Sequence, residues 1–328
     1  MSAEGGILRG VIDEVQRTDL REYMRLLLAL GAGDFDSIVE QGTEYLEDAP
    51  SARSLAREFA VEEFAGYMAA QQTWPDVLDS DRLLRAFRDL DLAGILARVD
   101  FACCQNCGVT EIGGEVPEDE RHAYRGYVFC HRQNMAAAVL GGELHLAYGI
   151  FNDAVLHADQ TGIGMEVAAM IRRHGLEVNW NEDPGSRIAV PLTWRRRRFG
   201  RLATWPGGAS PAASGPDHLA VNYCDYQRGR YEDEPLPMSL AEAKTILLDL
   251  TPQANNFAVF EGRSGGIIQM RWEKGRRLWL ETLDQTARCS RGRHVTPDEA
   301  DDLVTVLARE DRIALDRLGD LETRPWDT

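Results

Sequence analysis

Apolar residues recur at three- and four-residue spacing through the first hundred positions. Ile7, Leu8, Val11, Ile12 and Val15 form one stripe, and Leu20, Tyr23, Met24, Leu27 and Leu28 form another. This is the spacing by which a helix turns one face to a core. Gly31 and Gly33 then supply a stop. A further stripe, Leu55, Phe59, Val61, Phe64, Tyr67 and Met68, runs towards Trp74-Pro75, which should end that helix. Asp79 or Ser80 can cap the next, whose inward face would be Leu83, Leu84, Phe87 and Leu90. Residues 7–99 therefore read as helical, and their stripes as core without chemistry.

The period changes after residue 100. Tyr127, Val128 and Phe129 read as a short strand after Gly126, and Leu144 to Tyr148 as another after Gly141-Gly142. Between them the alanine-rich stretch Asn134 to Leu140 favours a short helix. Gly164 to His174 reads as a helix with Ile163, Val167, Met170 and Ile171 inward and Gly175 as its C-cap. Leu176 to Trp180 and Ile188 to Leu192 flank Asp183-Pro184-Gly185 as a hairpin would.

Pro206, Gly207, Gly208, Ser210, Pro211, Ser214, Gly215 and Pro216 crowd together as a linker does, and the acidic, proline-flanked run Tyr231 to Pro237 extends it. Beyond it, Ser239 with Glu242 forms a capping box, and Thr296, Pro297 and Glu299 open a final helix. Phe257 to Phe260, Ile267 to Trp272 and Leu278 to Leu283 alternate as strands between the two helices. Ser264-Gly265-Gly266 and Lys274-Gly275-Arg276 are the turns that join them. The expectation is an α+β, multi-domain chain. It has an N-terminal helical region (1–72), a central small α/β sheet domain carrying a cysteine cluster (73–202), a linker (203–236) and a C-terminal α-β-β-β-α unit (237–328).

Charge narrows the partners. Fifty-three acidic against 36 basic residues give −17 over 328 positions, a field that repels nucleic acid and anionic membrane. The start, Met1 to Gly10, lacks the basic and apolar regions of a secretory signal, and Leu26 to Leu30 is too short an apolar run to span a bilayer. A cytoplasmic location is expected, where Cys103, Cys104, Cys107, Cys130, Cys224 and Cys289 would stay reduced.

Three of those cysteines fall within five residues, in Asp100-Phe101-Ala102-Cys103-Cys104-Gln105-Asn106-Cys107-Gly108. Cys104 and Cys107 have Cys-x-x-Cys spacing and Cys103 adds a third thiol. A closed zinc site would need one further ligand from Cys130, His131 or His122. Cys130 and His131 are neighbours at a strand end and face opposite sides, so one at most could point at the cluster. The metal set carried forward is Cys103, Cys104, Cys107 and His131. Two other readings compete with it: buried, unliganded cysteines, and a nucleophilic thiol with His131 or His122 as base and Glu111 or Asp100 as orienter. A thioredoxin-like role is disfavoured, because no helix is evident after Cys107 to lower a thiol pKa.

Trp194 is followed by Arg195, Arg196, Arg197 and Arg198, then Arg201. Guanidinium groups pair bidentately with phosphate or acidic partners, but a charge run is more often a solvated face, here one that offsets the chain's own acidity. Trp272 and Trp279 read as sheet core rather than a binding face.

Trp74-Pro75, Asp81-Arg82-Leu83, Phe101, Cys103-Cys104, Cys107-Gly108, Glu111-Ile112, Gly126-Tyr127-Val128-Phe129, His131, Leu146-Ala147-Tyr148-Gly149 and Gly175-Leu176-Glu177-Val178 form a pattern over residues 73–200. It resembles an uncharacterised domain of actinobacterial cytoplasmic proteins with a Phe-x-Cys-Cys-x-x-Cys-Gly motif. The resemblance implies no activity. Cys130 stands where such domains often carry an aromatic residue, which weakens it as a general ligand. The C-terminal unit is similar in element order to small bacterial immunity proteins that neutralise secreted toxins, and its acidity would suit a basic toxin. Three classes of function follow. The favoured one is a non-catalytic protein-binding, immunity-type or regulatory module; the others are a zinc-stabilised module built on Cys103, Cys104 and Cys107, and a thiol-dependent enzyme.

Overall fold

The computed structural model of the chain describes residues 12–31, 33–47, 49–116, 118–151, 159–208, 217–226 and 229–326. Ile7, Leu8 and Val11 of the first stripe, and residues 209–216 at the centre of the linker reading, lie outside the described residues. The helical start is as expected in kind: α1 spans Glu14–Leu30, α2 Phe35–Tyr45, α3 Ala52–Gln71 and α4 Asp79–Leu92. Asp13 caps α1 with Gln16 in a reciprocal box, and Gly31 ends it at φ +68°, where its N–H reaches Leu28 O. The helical reading does not extend to residue 99. Ile95–Arg98 forms a strand, β1, because it pairs in parallel with a strand thirty residues later. A four-residue apolar run carries no period that separates strand from helix.

A short helix α5, Gln105–Glu111, follows, then β2 (Gly126–Phe129), α6 (Arg132–Val139), β3 (Leu144–Ile150), α7 (Gln160–Arg173) and β4 (Ile188–Val190). The strands make one four-stranded sheet in the order β1-β2-β3-β4. The expected hairpin around residue 183 is reduced to one bridge, Asn179 with Ala189, and its turn is held by Asp183 Oδ1 accepting from Gly185 N at 2.9 Å.

Residues 219–238 correct the linker reading. They form β5 (Leu219–Asp225) and β6 (Arg230–Met238), an antiparallel hairpin. The remaining elements are α8 (Leu240–Asp249), β7 (Phe257–Glu261), β8 (Ile267–Glu273), β9 (Arg277–Asp284), β10 (Cys289–Val295), α9 (Pro297–Glu310) and β11 (Glu322–Pro325). The expected three-stranded meander is thus the centre of a seven-stranded antiparallel sheet, β11-β10-β9-β8-β7-β5-β6. Both expected capping boxes, at Ser239 and Thr296, are present. Trp272 and Trp279 are fully buried, as a core reading requires. β6 tolerates Pro235 and Pro237 because it lies at the sheet edge. Among the described residues no helix is long and apolar enough to cross a membrane.

The chain divides into two compact units. The first comprises the described parts of residues 1–80, 133–144 and 192–210, and the second those of 81–132, 145–191 and 211–328. In the first, α1, α2 and α3 share a core that includes Leu20, Met24, Ile38, Phe59 and Phe64. The chain returns to these helices through Trp194 and the arginine run, and this corrects both readings of that run. Arg196, Arg197 and Arg198 are buried, Arg198 completely. Trp194 Nε1 donates to Ala29 O at 3.2 Å. Arg198 donates from Nε to Leu202 O at 2.7 Å, from Nη1 to Leu28 O at 3.3 Å and from Nη2 to Gly33 O, and its guanidinium lies 4.9 Å from the Phe64 ring centroid. The charge is therefore met by three backbone carbonyls, one of them in the last turn of α1.

Two side chains of α3 bind the returning backbone as a strand would. The Tyr67 hydroxyl donates to Arg196 O at 2.7 Å and accepts from Arg196 N at 3.1 Å. Gln71 donates to Arg198 O and accepts from Arg198 N, each at 2.8 Å. Residues 67 and 71 are about 6 Å apart along a helix axis, close to the roughly 6.6 Å between alternate residues of extended chain. Burial pushes the Tyr67 hydroxyl up to about 12, so it stays a donor.

Candidate metal centre

The cysteine cluster is presented by a tight turn between β1 and α5. Asp100 and Ala102 both adopt left-handed backbone, at φ +53° and +61°, a conformation that costs energy without glycine. The turn is held against the end of β2: Phe101 N donates to Cys130 O at 2.9 Å and Arg132 N to Ala102 O at 3.2 Å. Arg132 Nε also meets Asp100 Oδ1 at 2.7 Å. Cys103 leaves this turn, Cys104 occupies the N-cap of α5, and Cys107 lies in its first turn. Asn106 and Gly108 are poor helix formers, so α5 leaves little signal in the sequence. The helix exists and starts before Cys107, not after it.

Cys104 at the N-cap and Cys107 in the first turn of α5 lie on one side of the helix start, and the preceding turn brings Cys103 beside them. Cys103 Sγ and Cys107 Sγ are 3.5 Å apart, and the three sulfurs of Cys103, Cys104 and Cys107 all lie within 4.8 Å of one another. Cys103 is exposed, while Cys104 and Cys107 are half-buried. Gly108 explains how α5 sits so close to the sheet. A Cβ at Gly108 would lie 2.3 Å from the Phe129 ring, so only glycine fits. Phe129 itself packs with Leu96, Ile112, Val116 and Tyr124 in a buried cluster beneath the site.

The thiols are electrostatically unequal. The Cys107 backbone N–H, followed by the Cys107 and Cys103 thiols, lowers Cys104 below the usual thiol range. Cys107 is raised to about 11, first by its hydrogen bond with Cys103 and then by that with Cys104. A thiolate is favoured at Cys104 and resisted at Cys107, and a cation among the sulfurs would offset the repulsion between negative charges.

The other candidates are not part of this group. Among the described residues the gathered donor group consists of the three cysteines and includes neither histidine. His131 follows β2 and is buried, with its pKa lowered by burial and by Arg187. His122 and Glu111 are exposed. Cys130 is fully buried, which pushes its thiol up to about 12. Asp100 is engaged with Arg132, and burial raises its carboxyl above the usual range.

Three thiols this close together could hold a metal ion, with one ligand fewer than a closed zinc site uses. Residues 13–198 match the family described as a domain of unknown function, DUF6891. The chain belongs to this family. The DUF6891 region holds α1 to α7, the four-stranded sheet and the arginine run, and it ends at Arg198. It begins at residue 13, not 73, so the N-terminal helices are part of the family domain. The first compact unit supplies the reason, since those helices and the returning arginines complete one core. No curated protein matches the chain, and no solved structure matches it.

Proposed function

We propose that the DUF6891 domain of this protein is a non-catalytic binding module stabilised by a soft metal ion, zinc in the first instance, held by Cys103, Cys104 and Cys107. The observation that carries the metal part of this reading is the convergence of three sulfurs, all within 4.8 Å of one another. A tetrahedral zinc with bonds of about 2.3 Å sets its sulfurs about 3.8 Å apart. The 3.5 Å separation of Cys103 and Cys107 is close to that value. Three thiolates leave one position of a tetrahedron for water or for a donor from a partner. A thiol enzyme is less well supported, because neither candidate base is gathered with the thiols.

Elemental mass spectrometry on untagged protein purified without chelator, with thiol titration of the native state, tests the reading. About one metal ion per chain is expected, with Cys103, Cys104 and Cys107 slow to react until chelator is added. Metal-free protein that fails to bind added zinc would overturn it, and a single fast thiol in that protein would revive the enzyme.

A further inference from the structure

A second site lies in the second compact unit, away from the cysteines. A cavity of about 460 Å³ opens between α4, the end of β1 and the chain that leaves α8. That volume is in the range of small-molecule sites. Leu84 and Phe87 line it from α4, and Leu248, Leu250 and Pro252 line it from the far wall. Arg88 lines it too.

The charges around this cavity do not balance evenly. Asp91 is bonded to Arg98 Nη1 at 3.2 Å, and Glu115 to Arg98 Nε at 3.3 Å. Asp249 faces Arg230 at 3.8 Å. Arg88 is only 8% exposed, and its Nε has no hydrogen-bond partner. Its ion pair is with Asp298 at 3.9 Å, and the Asp298 side chain is 74% exposed; Asp89 and Asp301 also attract it and Arg85 repels it, none of them through a hydrogen bond to it. A guanidinium this deeply buried normally pairs at hydrogen-bond distance, because its desolvation is otherwise uncompensated. Burial pulls Arg88 down to about 10.

We infer that this cavity binds a small monocarboxylate with an apolar body, its carboxylate paired with Arg88 and its body against Leu84, Phe87 and Leu250. Of the two arginines in the lining, Arg98 is paired at hydrogen-bond distance with two carboxylates and Arg88 with none, so a single negative charge would match Arg88. A dianion would add repulsion from Asp91 and Asp249, which share the lining. The apolar walls supply affinity for the body, and the arginine fork orients the head.

Isothermal titration of the full chain with hexanoate and benzoate, and with hexanamide and benzamide as uncharged counterparts, tests this. At least one carboxylate should bind saturably, and its amide should bind at least about tenfold more weakly, in line with a charge-assisted hydrogen bond. Arg88→Met should weaken the carboxylate by a similar factor and leave the amide unchanged, and Arg88→Lys should retain part of the preference. No saturable binding by either acid, equal binding of acid and amide, or an unchanged carboxylate affinity in Arg88→Met would each overturn the site. If Arg88→Met does not fold, the comparison of acid and amide on the natural protein and the Arg88→Lys variant decide. None of these outcomes depends on metal at the cysteines.

Discussion

The arginine run and the cysteine cluster reverse the usual places of their residue types. Arginine is rarely buried, yet Arg196, Arg197 and Arg198 are core, and Arg198 has no exposed surface. Free cysteine is among the most buried residues, yet Cys103 is exposed and its two neighbours are half-buried. The difference lies in what each segment must satisfy. Arg198 donates to the carbonyls of Leu28 and Gly33 and Arg197 to that of Pro75, so the cost of burying charge is offset by hydrogen bonds. The cysteine sulfurs instead meet one another, Cys103 and Cys107 at 3.5 Å. The three sulfurs, presented beside a turn with two left-handed residues, lie close enough together that they could hold a metal ion.

The largest effect that would break this comparison is at Arg198. Arg198→Ala removes donors to Leu202, Leu28 and Gly33 and leaves a void beside Phe64, so it should destabilise the protein by about 3–5 kcal/mol in urea unfolding. A loss under about 1 kcal/mol would mean that the run is not structural. Next is Cys104→Ser. Losing one of three ligands should weaken zinc at least about a hundredfold, measured by competition with a chromophoric chelator, while apo-protein stability changes little. Equal zinc affinity in this variant would remove the cluster as the site.

The pH dependence of zinc binding sharpens the same point. Cys107 is raised to about 11, so it is protonated at neutral pH and must lose that proton to bind metal. Affinity should therefore rise with pH, by at least about tenfold per unit between pH 7 and 8, and proton release should be visible in calorimetry as a dependence on buffer ionisation heat. A flat profile would show that Cys107 is not a ligand. The smallest effect is within the run itself. Arg195 is half-exposed and lies 5.1 Å from the Trp74 ring centroid, so Arg195→Ala should cost about 0.5–1 kcal/mol, several-fold less than Arg198→Ala. Equal costs would mean that burial does not separate the two.

Local signals in this chain were legible where the determining contacts are near in sequence. The stripes of α1 and α3, the stop at Gly31 and the capping boxes at Ser239 and Thr296 all involve residues within about a turn of one another. β1 and β5 were missed for the opposite reason. β1 is a strand because β2 pairs with it, and β5 alternates in burial between two strands that its own residues do not announce. The candidate site was half legible. The spacing of Cys103, Cys104 and Cys107 announced a cluster, but nothing local announced that Gly108 admits Phe129 beneath it or that His131 is not gathered with the thiols.

By itself, then, the sequence determined the α+β character, the helix ends and the proximity of three thiols, because each follows from residues a few positions apart. Only the tertiary structure decided which charged groups enter the core, which strands complete the two sheets and which ligands meet. Tyr67 and Arg196 are 129 residues apart in the chain, and Arg198 and Leu28 are 170 apart. A hydrogen bond across such a separation forms only after many other segments have packed, so its partners leave no period, cap or motif in the sequence around either one.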